Sequence, residues 1–201
     1  MKERPIIFSG PMVRAILEGR KTQTRRVIKP QPPEKYELTG IPCAKIGGTW
    51  TWDFHDGIHF SENWGPEFSA RCPYGRPGDL LWVRETWSHR ASDLRIAYKA
   101  GPYPWDVKHD LCKWRSSIHM PKKYARLWLR ITNVRVERVQ EITEEDAKLE
   151  GIEAEWRQAT HPKKTYRAGM QFIWDSLNAK RGYPWESNPY VWVVEFEKAK
   201  P

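Results

Sequence analysis

Gly19-Arg20-Lys21-Thr22-Gln23-Thr24-Arg25-Arg26-Val27-Ile28 is the stretch on which the reading of the fold turns. A glycine is placed to end a helix, because a residue without Cβ takes the left-handed conformation that terminates one. The threonines and the closing β-branched pair then favour extended chain. Upstream, Pro5-Ile6-Ile7-Phe8 reads as a short strand. Ser9 or Gly10 caps a helix with Pro11 at its first position and Met12, Val13, Ile16 and Leu17 as apolar residues. Residues 5–28 therefore run strand, helix, extended segment.

Downstream, composition changes. Residues 29–70 hold five of the 16 prolines and five of the 13 glycines, and read as an insertion with one hairpin, 49–54 returning through Asp56-Gly57 to Ile58-His59-Phe60. Cys72-Pro73-Tyr74-Gly75-Arg76-Pro77-Gly78-Asp79 is turn chemistry leading into the strand Leu80-Leu81-Trp82-Val83-Arg84-Glu85. Further strands are expected at 94–99 and 126–139, the latter alternating Leu127, Leu129 and Ile131 with polar neighbours. Thr143 caps an acidic helix over 144–150 that Gly151 ends. A longer helix over about 166–179 carries Met170, Ile173, Trp174 and Leu177 on one stripe, and 190–197 closes the chain as a near-continuous apolar strand. Strands outnumber helices at spacings too irregular for βαβ units, so the class is α+β, or a β-barrel with peripheral helices. At 201 residues this is one domain, with insertions at about 29–70 and 101–121.

Composition narrows the function classes. Lys and Arg number 34 against 25 acids, a formal charge of +9 that favours a polyanionic partner. No run approaches the ~20 apolar residues of a membrane span, and Met1-Lys2-Glu3-Arg4-Pro5 does not open an export leader, so the expected setting is the cytoplasm, without membrane. Three cysteines without C-x-x-C spacing fit a reducing compartment and exclude a zinc ribbon. Cys43, Cys72, His55 and His59 lack the paired spacing of a structural zinc site, so neither metal nor other cofactor is expected.

The charge is segregated along the chain. Arg20, Lys21, Arg25, Arg26 and Lys29 form one acid-free run. Residues 111–136 form another, with Lys122, Lys123, Arg126 and Arg130, while 137–155 is strongly acidic. A basic face set against an acidic one suits a protein that tracks phosphates and gains by counterion release. Trp82, Trp128, Trp174 and Trp192 fall on core elements, whereas Trp50, Trp52, Trp64, Trp105 and Trp114 lie in loop-rich basic stretches, where an indole can stack on an unpaired base. Single-stranded nucleic acid is favoured over duplex.

A helix ending in glycine before Lys-Thr-x-Thr-x-Arg, then Pro77-Gly78-Asp79 before an apolar strand, a Glu-rich helix and a terminal strand resemble the ASCH family of PUA-like domains, most closely its larger bacteriophage and prophage versions. The resemblance covers a little over half the chain. It implies a small pseudo-barrel with a cleft for RNA or a modified nucleobase. One branch of the family hydrolyses N4-acetylcytidine to cytidine and acetate, and by motif its proton acceptor falls on Lys21, its nucleophile on Thr24 and its proton donor on Glu150. Other members cleave RNA, and a reader without catalysis is the third alternative. The two basic runs and the loop tryptophans make Arg20, Arg25, Arg26, Lys122, Lys123, Arg126, Arg130 and Trp114 the expected nucleic-acid contacts.

The local chemistry is consistent with amide hydrolysis, which needs a nucleophile, a base and an acid. Burial or neighbouring arginines would lower the lysine toward a useful base. Glu150 stands beside the terminating Gly151, where the helix dipole opposes an anion, and so has no structural role there but is suited to hold a proton. Lys21 and Thr24 belong to a polar segment rather than the core, and a regular strand would place them on opposite faces.

Overall fold

The computed structural model describes residues 1–32, 37–46, 49–55, 68–91, 93–101, 113–152 and 165–200, of which 37–46, 49–55 and 68–69 by backbone alone. In chain order the elements are β1 (Glu3–Ile7), α1 (Gly10–Leu17), β2 (Gln23–Val27), β3 (Glu37–Ile46), β4 (Thr49–His55), β5 (Phe68–Arg71) and β6 (Leu80–Arg84). β7 (Trp87–His89), β8 (Ile96–Tyr98), β9 (Trp128–Arg138), α2 (Glu144–Leu149), α3 (Tyr166–Asn178) and β10 (Tyr190–Ala199) follow. Among the described residues, three sheets with few helices make the class α+β, as the sequence indicates. Among the described residues no helix is long and apolar enough to cross a membrane.

The main sheet has the order β1-β6-β9-β10-β2. β10 lies between β9 and β2, and its near-continuous apolar run has a simple cause: both faces are covered. Tyr190, Trp192, Val194 and Phe196 enter one core cluster with Ile6, Phe8, Ile28, Leu81 and Val83. Val191 and Val193 enter a second, under α3, with Met170, Trp174 and Ile152. On β9 the inward residues change parity, from Leu129 and Ile131 to Val134 and Val136. The register explains this, since Phe196 pairs with Ile131 but Glu195 with Asn133, leaving Thr132 as the extra residue of a bulge. A bulge bends its strand and increases the local twist.

The sheet curls far toward closure. Flat, its edge strands β1 and β2 would stand roughly 19 Å apart at four interstrand spacings. Yet the Arg26 guanidinium on β2 donates to the Ile7 carbonyl on β1 at 2.6 Å. The seam is thus bridged by a side chain where a ladder is missing.

The other sheets correct the hairpin reading. β4 pairs with β3 on one side and with β5 on the other, so both its edges are taken, and its return partner is Phe68–Arg71. Residues 56–60, with the expected turn and return strand, lie outside the described residues. Residues 94–99 supply the shorter β8, paired with β7, because Leu94 takes a left-handed φ of 57° that a strand does not allow. On α3 the expected stripe is partly buried: Met170 and Trp174 are covered, but Leu177 is 55% exposed.

Capping sets the helix ends. Thr143 Oγ1 accepts from the Asp146 amide at 3.0 Å, and Thr165 Oγ1 from the Ala168 amide at 3.1 Å. The Glu144 carboxylate of α2 also accepts from the Tyr166 and Arg167 amides, tying the start of α3 to α2. At the end of α2, Gly151 has φ +82°, and a Cβ there would lie 2.8 Å from Ala15 Cβ and 2.9 Å from Lys21 Cβ. The three segments meet at this point with no room for a side chain.

Gly151→Ala should therefore destabilise the protein by more than the roughly 1–3 kcal/mol of backbone strain alone. Gly78→Ala, at φ +90° with nothing within 4 Å of the added carbon, should cost only that strain. Denaturant unfolding of the two variants checks the difference, and equal losses would contradict the packing argument.

Candidate functional site

The basic segment is held from both sides. The amides of Arg20 and Lys21 both donate to the Ala15 carbonyl, at 2.9 and 3.1 Å, so the chain turns sharply out of α1. Lys21 then forms an isolated antiparallel bridge with Glu150, and the Thr22 amide donates to the Leu149 carbonyl at 2.9 Å. β2 begins only at Gln23, so the period-two rule that would oppose Lys21 and Thr24 does not apply between them.

The side chains around Glu150 form a buried ion-pair network. Lys21 Nζ donates to Glu150 Oε2 at 2.7 Å and to the Glu150 carbonyl at 2.8 Å. Arg25 NH1 donates to Glu150 Oε1 at 3.1 Å, its Nε to Glu137 at 2.7 Å and its NH2 to Asp146 at 3.1 Å. Lys21, Arg25 and Glu150 are 3%, 5% and 4% exposed. Two expectations are corrected here. Lys21 and Thr24 are buried rather than placed on a polar edge, Lys21 because the ends of α1 and α2 meet against it and Thr24 because it lies within β2, paired with Val194 of β10. Glu150 does have a structural partner, since both of its oxygens accept from cations.

Burial pushes the Lys21 ammonium below its usual range; Glu150 opposes that, and Arg26 and Arg25 add to it. For Arg25 burial works against the charge, but Glu150, Glu137 and Asp146 outweigh it and hold the guanidinium more firmly protonated. Burial would raise Asp146, yet the Gln23 amide, Arg25 and Arg135 outweigh it and keep the carboxyl below its ordinary value.

Lys21, Thr24 and Glu150 all line one cleft of about 740 Å³. Thr24 and Arg26 share a face of β2, opposite Val194 and Trp192 of β10, while Gln23 and Arg25 face the other way, toward α2. Phe8 forms part of the wall, with Lys21 Nζ 5.6 Å and Arg26 Cζ 5.3 Å from its ring centroid. Tyr74, Trp174 and Trp192 supply further aromatic surface, and burial pushes the Tyr74 phenol up. Sequence reasoning assigned none of these four aromatics to the site. The available signal was position: Phe8 stands beside the Ser9 cap and Tyr74 within the Pro-Gly turn.

The remaining sequence candidates are engaged in ion pairs or lie outside the cleft. Arg25 cannot present itself to phosphate, because its guanidinium is fully committed to three carboxylates. Arg20 is drawn to Glu18 at 2.7 Å and to the Gly151 carbonyl at 3.3 Å. Arg126 grips Glu85 through two bonds of 2.8 and 2.9 Å and stacks on Tyr98. Lys122 pairs with Glu3 and Lys123 lies over Tyr124, while Arg130 is exposed and Trp114 half-buried. None of Lys122, Lys123, Arg126, Arg130 and Trp114 lines the cleft. The acidic run is no opposed face either: Glu137, Asp146 and Glu150 neutralise Arg25 of β2, and Arg135 of β9 joins Glu137 and Asp146. Of the four residues weighed for zinc, Cys72 alone has a described side chain, a buried free thiol pushed up to about 11 chiefly by burial.

The chain matches no protein-family model and no curated protein. It is similar in structure to an ASCH domain from Lactobacillus crispatus JV V101, at 13% identity and a TM-score of 0.41, over 98% of this chain and 79% of that one.

Glu150→Ala should cost about 3–5 kcal/mol of stability, because it leaves Lys21 and Arg25 buried without their shared anion. Chemical denaturation measures it, and a loss below about 1 kcal/mol would show that water replaces the carboxylate. Asp146 predicts a pH dependence. Its folded pKa lies below the unfolded value of 3.8, so its stabilising effect is complete above that value and is lost as pH falls through the folded one. Melting curves from pH 5 downward should fall less steeply for Asp146→Asn than for the native chain.

Proposed function

We propose that the protein is an ASCH-type hydrolase that removes the acetyl group of N4-acetylcytidine, acting through Lys21, Thr24 and Glu150. The observation that carries this reading is the convergence of three motif-derived residues, two of them more than a hundred positions from the third, on one aromatic-walled cleft. The 29–70 stretch is read as an insertion in a single PUA-like domain.

In the proposed reaction the base lies against the aromatic wall and Thr24 Oγ attacks the acetyl carbonyl carbon. Lys21 Nζ takes the hydroxyl proton, a role served by the burial that lowers its pKa and raises its neutral fraction. The carbon–N4 bond then breaks as Glu150 supplies a proton to the leaving amine, and cytidine departs. Water hydrolyses the threonine ester, giving acetate and restoring the hydroxyl. The Lys21–Glu150 bond of 2.7 Å links acceptor and donor directly, so a proton gathered at one can be returned through the other.

The same bond supports a second reading, a cleft that binds a nucleobase of RNA without catalysis, because it commits Lys21 to a structural partner. Thr24 separates the two readings. Thr24→Ala should melt near the native temperature while deacetylation falls by a factor of at least about a hundred, and Thr24→Ser should keep part of the activity. Chromatography of cytidine released from N4-acetylcytidine is the readout. Full turnover by Thr24→Ala would eliminate Thr24 as the nucleophile, whereas no release of cytidine by the native chain would eliminate the hydrolase and leave the binding cleft.

A further inference from the structure

The charge of the cleft exceeds what an uncharged acetylated nucleoside requires. Among the described residues its walls carry Lys21, Arg25, Arg26, Lys29, Arg71 and Arg181 against a single carboxylate, Glu150. Lys21 and Arg25 are already bound to that carboxylate. Among the described residues no carboxylate pairs with Arg26, Lys29, Arg71 or Arg181. Lys29, Arg71 and Arg181 are exposed, and Lys29 lies 5.1 Å from the centroid of Tyr183. Elsewhere on the chain cations in similar numbers are matched: Lys122 by Glu3, Arg126 by Glu85, Arg135 by Glu137, Asp146 and Glu195. The cleft is where four cations without a carboxylate partner among the described residues are gathered on one lining.

A second feature has the same sign. α1 points its N-terminus at the cleft, where Ser9 and Met12 are part of the lining. Its first turn contains no acid, and the Ser9 side chain makes no capping bond, so the free amide end of the helix is not neutralised from within. The unmatched cations come from four places, β2, the chain just after it, the end of β5 and the chain after α3. Helix and cations together surround the aromatic wall that would hold a base.

We infer that the cleft contains a phosphate subsite, formed by Arg26, Lys29, Arg71 and Arg181, and that the ligand is a phosphorylated nucleotide unit rather than a free nucleoside. This deepens the nucleobase reading and rests on it for the base, but not on hydrolysis. The phosphate belongs either to a mononucleotide or to the backbone of single-stranded RNA, and both present the same oxygens to a guanidinium.

Titration calorimetry with cytidine, cytidine 5′-monophosphate and a short oligocytidylate tests this without any acetyl chemistry. At least one phosphorylated probe should bind at least about tenfold more tightly than cytidine, and Arg71→Ala with Arg181→Ala should erase most of that advantage. A gain already full with the monophosphate assigns the phosphate to a mononucleotide, and a gain confined to the oligomer assigns it to RNA. Arg95→Ala, an exposed cation outside the cleft lining, should retain the advantage. The subsite is overturned if neither phosphorylated probe gains over cytidine, if the gain survives the Arg71/Arg181 double variant, or if Arg95→Ala loses as much. Tight phosphate-dependent binding with no deacetylation would sink the hydrolase and leave the subsite standing. Melting temperatures of the variants confirm that each is folded.

Discussion

The Glu150 carboxylate, held between Lys21 and Arg25, is the constraint from which the site is built. An anion this deeply buried is tolerated only when both oxygens are met, and here one cation reaches each. Meeting that demand fixes the end of α2 against the start of β2. It also uses the charge of Arg25, which in turn needs Glu137 and Asp146 to complete its fork. A single buried carboxylate thus ties together two strands, β2 and β9, and the helix α2.

Position in the sheet then divides the labour among neighbouring residues. Alternation along β2 sends Gln23 and Arg25 into the ion-pair network and Thr24 and Arg26 to the opposite face. Adjacent residues of β2 therefore serve the ion-pair network and the opposite face of the strand without competing for space. β10 does the equivalent for the apolar cores, feeding one with its even positions and the other with its odd ones.

Much of this was legible in the residues. Thr143, Gly151 and the apolar periods located the helices and most strands, because caps and alternation are local signals. The Lys-Thr-x-Thr motif pointed to Lys21 and Thr24 for the same reason. Glu150 was placed on the right helix but given the wrong surroundings: a dipole argument sees its own helix, and its cations arrive from more than a hundred residues away. The charge runs misled in the same manner, since acids and bases far apart in sequence are partners in space. The parity change at Thr132 and the double burial of β10 depend on which strand lies alongside, which no local pattern encodes.

The seam between β1 and β2 has a mechanical meaning. A ladder parts only when many backbone bonds yield together, whereas this edge is clasped by one guanidinium on one carbonyl. Ile7, Phe8 and Arg26, the residues at the clasp, are also walls of the cleft. The line along which the sheet yields most easily therefore runs through the cleft. Parting the seam breaks one charged hydrogen bond and leaves the described strand pairs intact, so the domain can breathe there while the rest of its sheet stays locked.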